Sequence, residues 1–301
     1  MPLSFALLTT LVTAFLVPFH ATPAEAAASC LGHRATIVGK QDGSVTGSPG
    51  RDVIVTHGAR RVRAFGGDDL ICVDGAQEVT IYVDAGGGDD DTFVSDRHTR
   101  VDFRSGTGSD SYESIGATDF VTILDDGHDE VSTGRRADFV TVAPSHQPGS
   151  LRVRLGGSND RLTLPMGRSS GDFDGGPGVN VLELEHRSQQ AWTIDNRHGE
   201  ARAGSEVRFR WSEFEWFVVQ RLEVPRIRFI GSDAAETIDA GRSATAVQLA
   251  LGGGDDRAWA GKSDDTIDGG PGTDWAAAQA GTDTCISVEE AYDCETTSRT
   301  R

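Results

Sequence analysis

Four aspartates, Asp256, Asp265, Asp274 and Asp283, recur at nine-residue intervals toward the C-terminal end of the chain. Each follows a small residue two places earlier: Gly254, Ser263, Gly272 and Gly281. The fullest copy reads Gly269-Gly270-Pro271-Gly272-Thr273-Asp274, with Ala276 two places beyond the acid. A carboxylate is a hard oxygen donor, and glycine lets the backbone take positive φ and aim several carbonyls at one point. Oxygens converging at about 2.3–2.6 Å suit Ca²⁺, whereas Mg²⁺ demands a tighter octahedron and keeps its waters. A lone Gly-x-Asp reads as an ordinary Asx-turn. Four in unbroken register point to a cation.

A fixed short period of this kind means a solenoid. The apolar residue after each acid starts a short inward-facing strand, and two units close one coil. Coils then stack about 4.8 Å apart as parallel strands. Turns on one side are two units apart, which pairs Asp256 with Asp274 and Asp265 with Asp283. The stretch from Ala250 to Glu295 resembles the RTX, or haemolysin-type, calcium-binding repeats. That resemblance implies an all-β fold, a right-handed parallel β-roll or β-helix solenoid, with rows of Ca²⁺ held between coils by the Gly and Asp turns.

Looser copies fill the earlier chain. Gly50-Arg51-Asp52 is followed by Gly66-Gly67-Asp68-Asp69, and then by Gly86-Gly87-Gly88-Asp89-Asp90-Asp91, whose phase admits Asp90 or Asp91. Ser105-Gly106-Thr107-Gly108-Ser109-Asp110 is a clean copy, and Asp129 keeps its turn glycine at Gly127. Asp119 and Asp138 lack that glycine and read as turn residues. Asp160 follows Gly156-Gly157-Ser158-Asn159, and at Asn180 an amide replaces the acid. The predicted ligand set is therefore Gly50, Asp52, Gly67, Asp69, Gly88, Asp90, Gly108, Asp110, Gly127, Asp129, Asp160, Gly254, Asp256, Asp265, Gly270, Gly272, Asp274, Gly281 and Asp283, with Ca²⁺ as the ion. The turn near Arg60 carries no acid, so one side of the roll is expected to bind there and the other not. Wider repeat spacing in the middle predicts larger coils, with the inserted residues in the turns.

Residues 1–26 read as an export signal, with an apolar run from Phe5 to Phe19 and an Ala24-Glu25-Ala26 cleavage site. The expected organisation is then 27–185 as a solenoid with degenerate repeats, 186–230 as metal-poor coils, 231–295 as the main calcium block and 296–301 as a tail. An exported chain with an even cysteine count reads as disulfide-bonded. Cys30–Cys72 and Cys285–Cys294 would clip the two ends, other pairings staying open. In 186–230, Val207 to Trp211 alternates at period two. Trp192, Trp211 and Trp216 there read as bulky core, or else as an aromatic platform for a sugar or a partner.

The formal charge of −18, from 28 basic and 46 acidic residues, argues against nucleic acid and anionic membrane surfaces. No His-Glu-x-x-His and no Gly-x-Ser-x-Gly occurs, so no catalytic residue is expected from those motifs. No membrane span is expected, because the leading apolar run is short and broken by Pro18. The function expected is a secreted calcium-binding repeat protein whose folding is coupled to extracellular calcium, metal rather than a large apolar interior holding the acidic bends together. Two other readings stay open: a calcium-dependent polysaccharide lyase or epimerase on a β-helix, and a surface adhesion or structural protein. A polysaccharide or a cell-surface partner would fit either.

Overall fold

A computed structural model describes residues 28–75, 79–95, 100–144, 149–167, 170–185, 190–220 and 226–298. The export-signal reading of residues 1–26 lies outside them. Among the described residues every regular element is a strand. The strands alternate between a 13-stranded and a 16-stranded sheet, so that each coil contributes to both. Pairing between successive coils is parallel and in phase: Ile238 lies beside Ala258, and Ala258 beside Ala276. The fold is the all-β solenoid that the repeats imply.

Because strand side chains alternate in direction, one set from each sheet meets in the interior. A single apolar cluster runs from Val45 to Val288. In the earlier coils it is built from large groups, with Phe103, Tyr112, Leu155, Trp192 and Phe217 fully buried. In the C-terminal repeats it thins to Ala258, Ala260, Ala276 and Ala278 on one side, with Leu249, Leu251, Ile267 and Cys285 also buried. The expectation that metal replaces a large apolar interior therefore fails for most of the chain, where coils of bulky residues already have one. It fits only the alanine-lined end.

Coil length varies as expected, but the added residues are not confined to the turns. In the 13-stranded sheet, Thr80–Gly87, Arg100–Thr107 and Thr118–Asp125 are 8-residue strands, against 3 residues for Thr237–Asp239 and Arg257–Trp259.

One coil departs from the plan. Trp192–Asp195, Glu200–Ala203 and Glu206–Ser212 form an antiparallel meander inside the 16-stranded sheet, where a regular coil would supply one strand. Gly199 (φ 58°) and Gly204 (φ 61°) sit at its two reversals. Trp192 and Trp211 are buried there, and Trp192 stacks on Phe209 at 6.0 Å. The window is a core of aromatic rings, with Trp216 alone of the three tryptophans exposed.

Both ends are covalently tied. Cys30 joins Cys72 and Cys285 joins Cys294, with Cα separations of 5.5 and 5.9 Å. Cys30 sits with Val53, Val55 and Leu70 on the outer face of the first coils, which the N-terminal segment covers. Thr296–Ser298, read from sequence as tail, adds a last strand beside Thr284–Ile286.

Candidate metal-binding turns

Each strand is entered from a turn, and the residue at that entry is repeatedly acidic and buried. Asp52, Asp69, Asp90, Asp110 and Asp129 enter the 16-stranded sheet on one side of the solenoid. The amide of each of the first four donates to the Oδ1 of the next, at 2.7, 2.8, 3.0 and 2.9 Å. The result is a ladder, one carboxylate per coil, each reaching back to the coil before it. The opposite side carries a second ladder. There Asp119, Asp138, Asp160, Asn180 and Glu215 are linked in the same way. Glu236, Asp256, Asp274 and Glu289 continue on that side. Asp265, Asp283 and Glu295 reopen the first side at the C-terminal end.

The expected pairs, Asp256 with Asp274 and Asp265 with Asp283, are adjacent in these ladders. Asp90 is the rung, while Asp91 is exposed at the start of a strand. Two residues set aside from sequence, Asp119 and Asp138, occupy the same rung position as Asp160. The glycine two places earlier is therefore not required for the carboxylate to reach its place. Glu236 lies in the copy Gly231-Ser232-Asp233-Ala234-Ala235-Glu236, whereas Glu215, Glu289 and Glu295 stand outside the repeat pattern. Glu236 stands at the same offset before Asp256 as other rungs in the wider coils, 20 residues. The last coil is shorter, 15 residues from Asp274 to Glu289, and the longer glutamate side chain bridges the changed register.

The second carboxylate oxygen is the informative one. In Asp69, Asp90, Asp160, Asp256, Asp274 and Asp283 it is buried and has no hydrogen-bond partner. Asp52 and Asp265 differ, since their second oxygens accept the amides of Ser48 and Gly261 at 2.7 and 2.9 Å. A buried oxygen left without a donor is costly when charged. Burial accordingly pushes the carboxyls of Asp69 and Asp160 up to about 6, of Asp90 and Asp256 to about 7, and of Asp138 to about 8. Burial raises Asp274 and Asp283 as well.

Other oxygens crowd the same turns. A Cβ on Gly108 (φ 126°) would lie 2.1 Å from the Gly88 carbonyl oxygen, and one on Gly272 would lie 1.8 Å from that of Gly254. Only a residue without a side chain lets these carbonyls stack from coil to coil. Gly67, Gly88, Gly254, Gly270 and Gly281 share the positive φ, whereas Gly50 meets nothing within 4 Å and Gly127 is held by its contact with the Gly108 carbonyl rather than by φ. The point that a Cβ on Gly269 would occupy lies 2.3 Å from the Ser287 carbonyl oxygen and 2.5 Å from Asp274 Oδ2. The unpartnered Asp274 Oδ2 thus lies close to a backbone carbonyl oxygen.

Asn180 shows what belongs in that space. Its Oδ1 accepts from the Asp160 amide as an aspartate would. Its Nδ2 replaces the second oxygen and donates to the carbonyls of Gly176 and Glu213 at 2.8 and 3.0 Å. Where the rung is an amide, its own N–H groups satisfy the carbonyls; an ionised carboxylate rung has no such donor to offer them, and a cation could take its place. Among the described residues no three His, Cys, Asp or Glu side chains form a metal cluster. Any cation here would draw one carboxylate oxygen per rung and complete its shell from backbone carbonyls, a donor set of hard oxygens that Ca²⁺ accepts.

An outer row flanks the buried one and runs the other way. Asp68 accepts from the Asp89 amide at 3.0 Å, Asp89 from Ser109 at 2.8 Å, and Asp255 from Thr273 at 2.9 Å. These exposed acids add negative charge at the mouth of the turns.

Residues 251–285 match the RTX calcium-binding nonapeptide repeat in four copies. No curated protein matches the chain. The matched segment holds the rungs Asp256, Asp265, Asp274 and Asp283, and the ladders carry the same geometry far beyond it.

Proposed function

We propose that this chain, a solenoid carrying RTX calcium-binding repeats, is an exported calcium-binding protein in which ion binding orders the coils. The observation that carries this reading is the orphaned carboxylate oxygen facing turn carbonyls, set against Asn180, whose amide fills the same space. Asp256, Asp274 and Asp283, with carbonyls of the glycine turns such as Gly254, would hold the ion in the C-terminal repeats. Asp69, Asp90, Asp110, Asp129 and Asp160 would do so in the wider coils. When bound, Ca²⁺ would neutralise the rungs and satisfy the facing carbonyls, so that its binding free energy becomes folding free energy. Each rung meanwhile fixes the coil before it through its Oδ1. Export is supported by the two disulfides, which persist in oxidising surroundings, and by the excess of acid, which favours a calcium-rich medium.

The test is calcium titration of the purified chain against a chelator control, followed by ion counting. Circular dichroism should show ordering on calcium addition, and Asp274→Ala should weaken it in the C-terminal repeats. A chain that stays fully ordered after exhaustive EDTA dialysis and then takes up no ion would sink the proposal.

A further inference from the structure

The outer face of the 13-stranded sheet over its first coils has the opposite character to the turns. Parallel register sets Arg61 beside Tyr82, Tyr82 beside Asp102, Asp102 beside Phe120 and Phe120 beside Phe139. The next row sets Arg63, Asp84 and Arg104 side by side. Tyr82 and Phe139 are 47% and 40% exposed, so the rings are not core. The Arg100 guanidinium lies 3.8 Å from the centre of the Phe120 ring, and Phe120 stacks on Phe139 at 4.9 Å with 10° between planes. Arg61 lies over Tyr82 at 5.8 Å. Among the described residues, Arg63 comes within 4.0 Å of Asp84, but Arg61, Arg100 and Arg104 form no ion pair. In a chain of net charge −18, three uncompensated guanidinium groups on one flat aromatic face are a local reversal of sign.

We propose that this face binds an acidic polysaccharide. Guanidinium forks match carboxylate and sulfate groups through paired charge-assisted hydrogen bonds. Exposed rings offer flat apolar surface to the C–H faces of sugars, as they do to other ring partners. The presentation is periodic, one row of side chains per coil at about 4.8 Å, close to the length one pyranose adds to an extended glycan. A shallow depression of about 240 Å³ lies among Arg61, Arg63, Tyr82, Asp84 and Arg104, and Asp84 and Asp102 can accept hydrogen bonds from sugar hydroxyls. Nucleic acid fits less well. Its dense phosphates would meet the acidic rims of the turns on either side, and three free arginines release too few counterions to offset that repulsion.

The experiment is affinity electrophoresis of the full calcium-loaded chain in gels containing hyaluronate or chondroitin sulfate, with dextran and single-stranded DNA as controls. Acidic glycans should retard the protein in a salt-sensitive manner, and dextran should not. The exposed double variant Arg61→Gln/Arg104→Gln should lose about tenfold in affinity, and Tyr82→Ala should weaken binding at unchanged charge. Circular dichroism and calcium uptake on the same samples separate a failed surface from a failed fold, and hence from failure of the calcium reading. The proposal is overturned by absence of retardation in both acidic glycans, by equal retardation in DNA, or by well-folded variants that bind like the parent.

Discussion

A single atom separates the two kinds of rung. Asn180 and Asp160 both offer Oδ1 to or receive it from the neighbouring coil, but Nδ2 donates where Oδ2 cannot. Asn180→Asp should therefore leave the Gly176 and Glu213 carbonyls without their donor and cost about 1–3 kcal/mol in EDTA, with calcium recovering part of the loss. Chemical denaturation with and without calcium measures both quantities, and identical curves for variant and parent would contradict the geometry. The rungs also set the sign of the pH response. The carboxyls of Asp69, Asp90, Asp138, Asp160 and Asp256 ordinarily titrate at 3.8, and burial raises them to between about 6 and about 8 in the fold. A group whose value is raised on folding stabilises the fold fully below its unfolded value, and that contribution is lost as pH rises through the folded value. The metal-free chain should consequently melt at lower temperature as pH rises from about 4 to about 8, and calcium should flatten the slope. A melting temperature in EDTA that climbs with pH would exclude this account.

At the scale of the strand and the turn, much was legible in the sequence and some was not. The nine-residue register fixed which acids pair across coils, because the C-terminal coils are short and uniform. It does not mark Asp119 and Asp138, which lack a glycine two places before the acid. The structure reaches the same position with Ala117 and Arg136 there. It failed at Glu289 and Glu295 because a longer side chain compensates a shorter coil. The meander from Trp192 to Ser212 was unreadable for a different reason: period two marks a strand without its direction, and Gly199 and Gly204 serve hairpins and solenoid turns alike. The element is held by packing rather than by rungs. Trp192→Ala should cost about 3–5 kcal/mol while leaving the number of bound ions unchanged, as denaturation and ion counting would show. Loss of ions in that variant would mean the meander shares in the metal sites.

Across the whole molecule the two ladders and the apolar cluster divide the work unevenly. Coils lined by Phe103, Tyr112 and Leu155 bury far more surface than those lined by Ala258, Ala276 and Ala278. Amide exchange in EDTA should therefore be fast from Ala250 to Glu295 and slow in the earlier coils, and uniform exchange would argue against that division. The meander separates these regions in a second way. It adds two strands to one sheet and none to the other, and no rung links Glu215 to Glu236. The Glu236 carboxylate is instead met by the Asn196 amide of the meander at 2.9 Å. In the 16-stranded sheet the regular strands on either side of the meander are set about 10 Å further apart, whereas in the 13-stranded sheet Trp216–Gln220 still pairs directly with Thr237–Asp239. The rungs of the second ladder thus fall into two hydrogen-bonded runs, Asp119 to Glu215 and Glu236 to Glu289, and the protein should fill in two stages and register two concentrations of its ion rather than one.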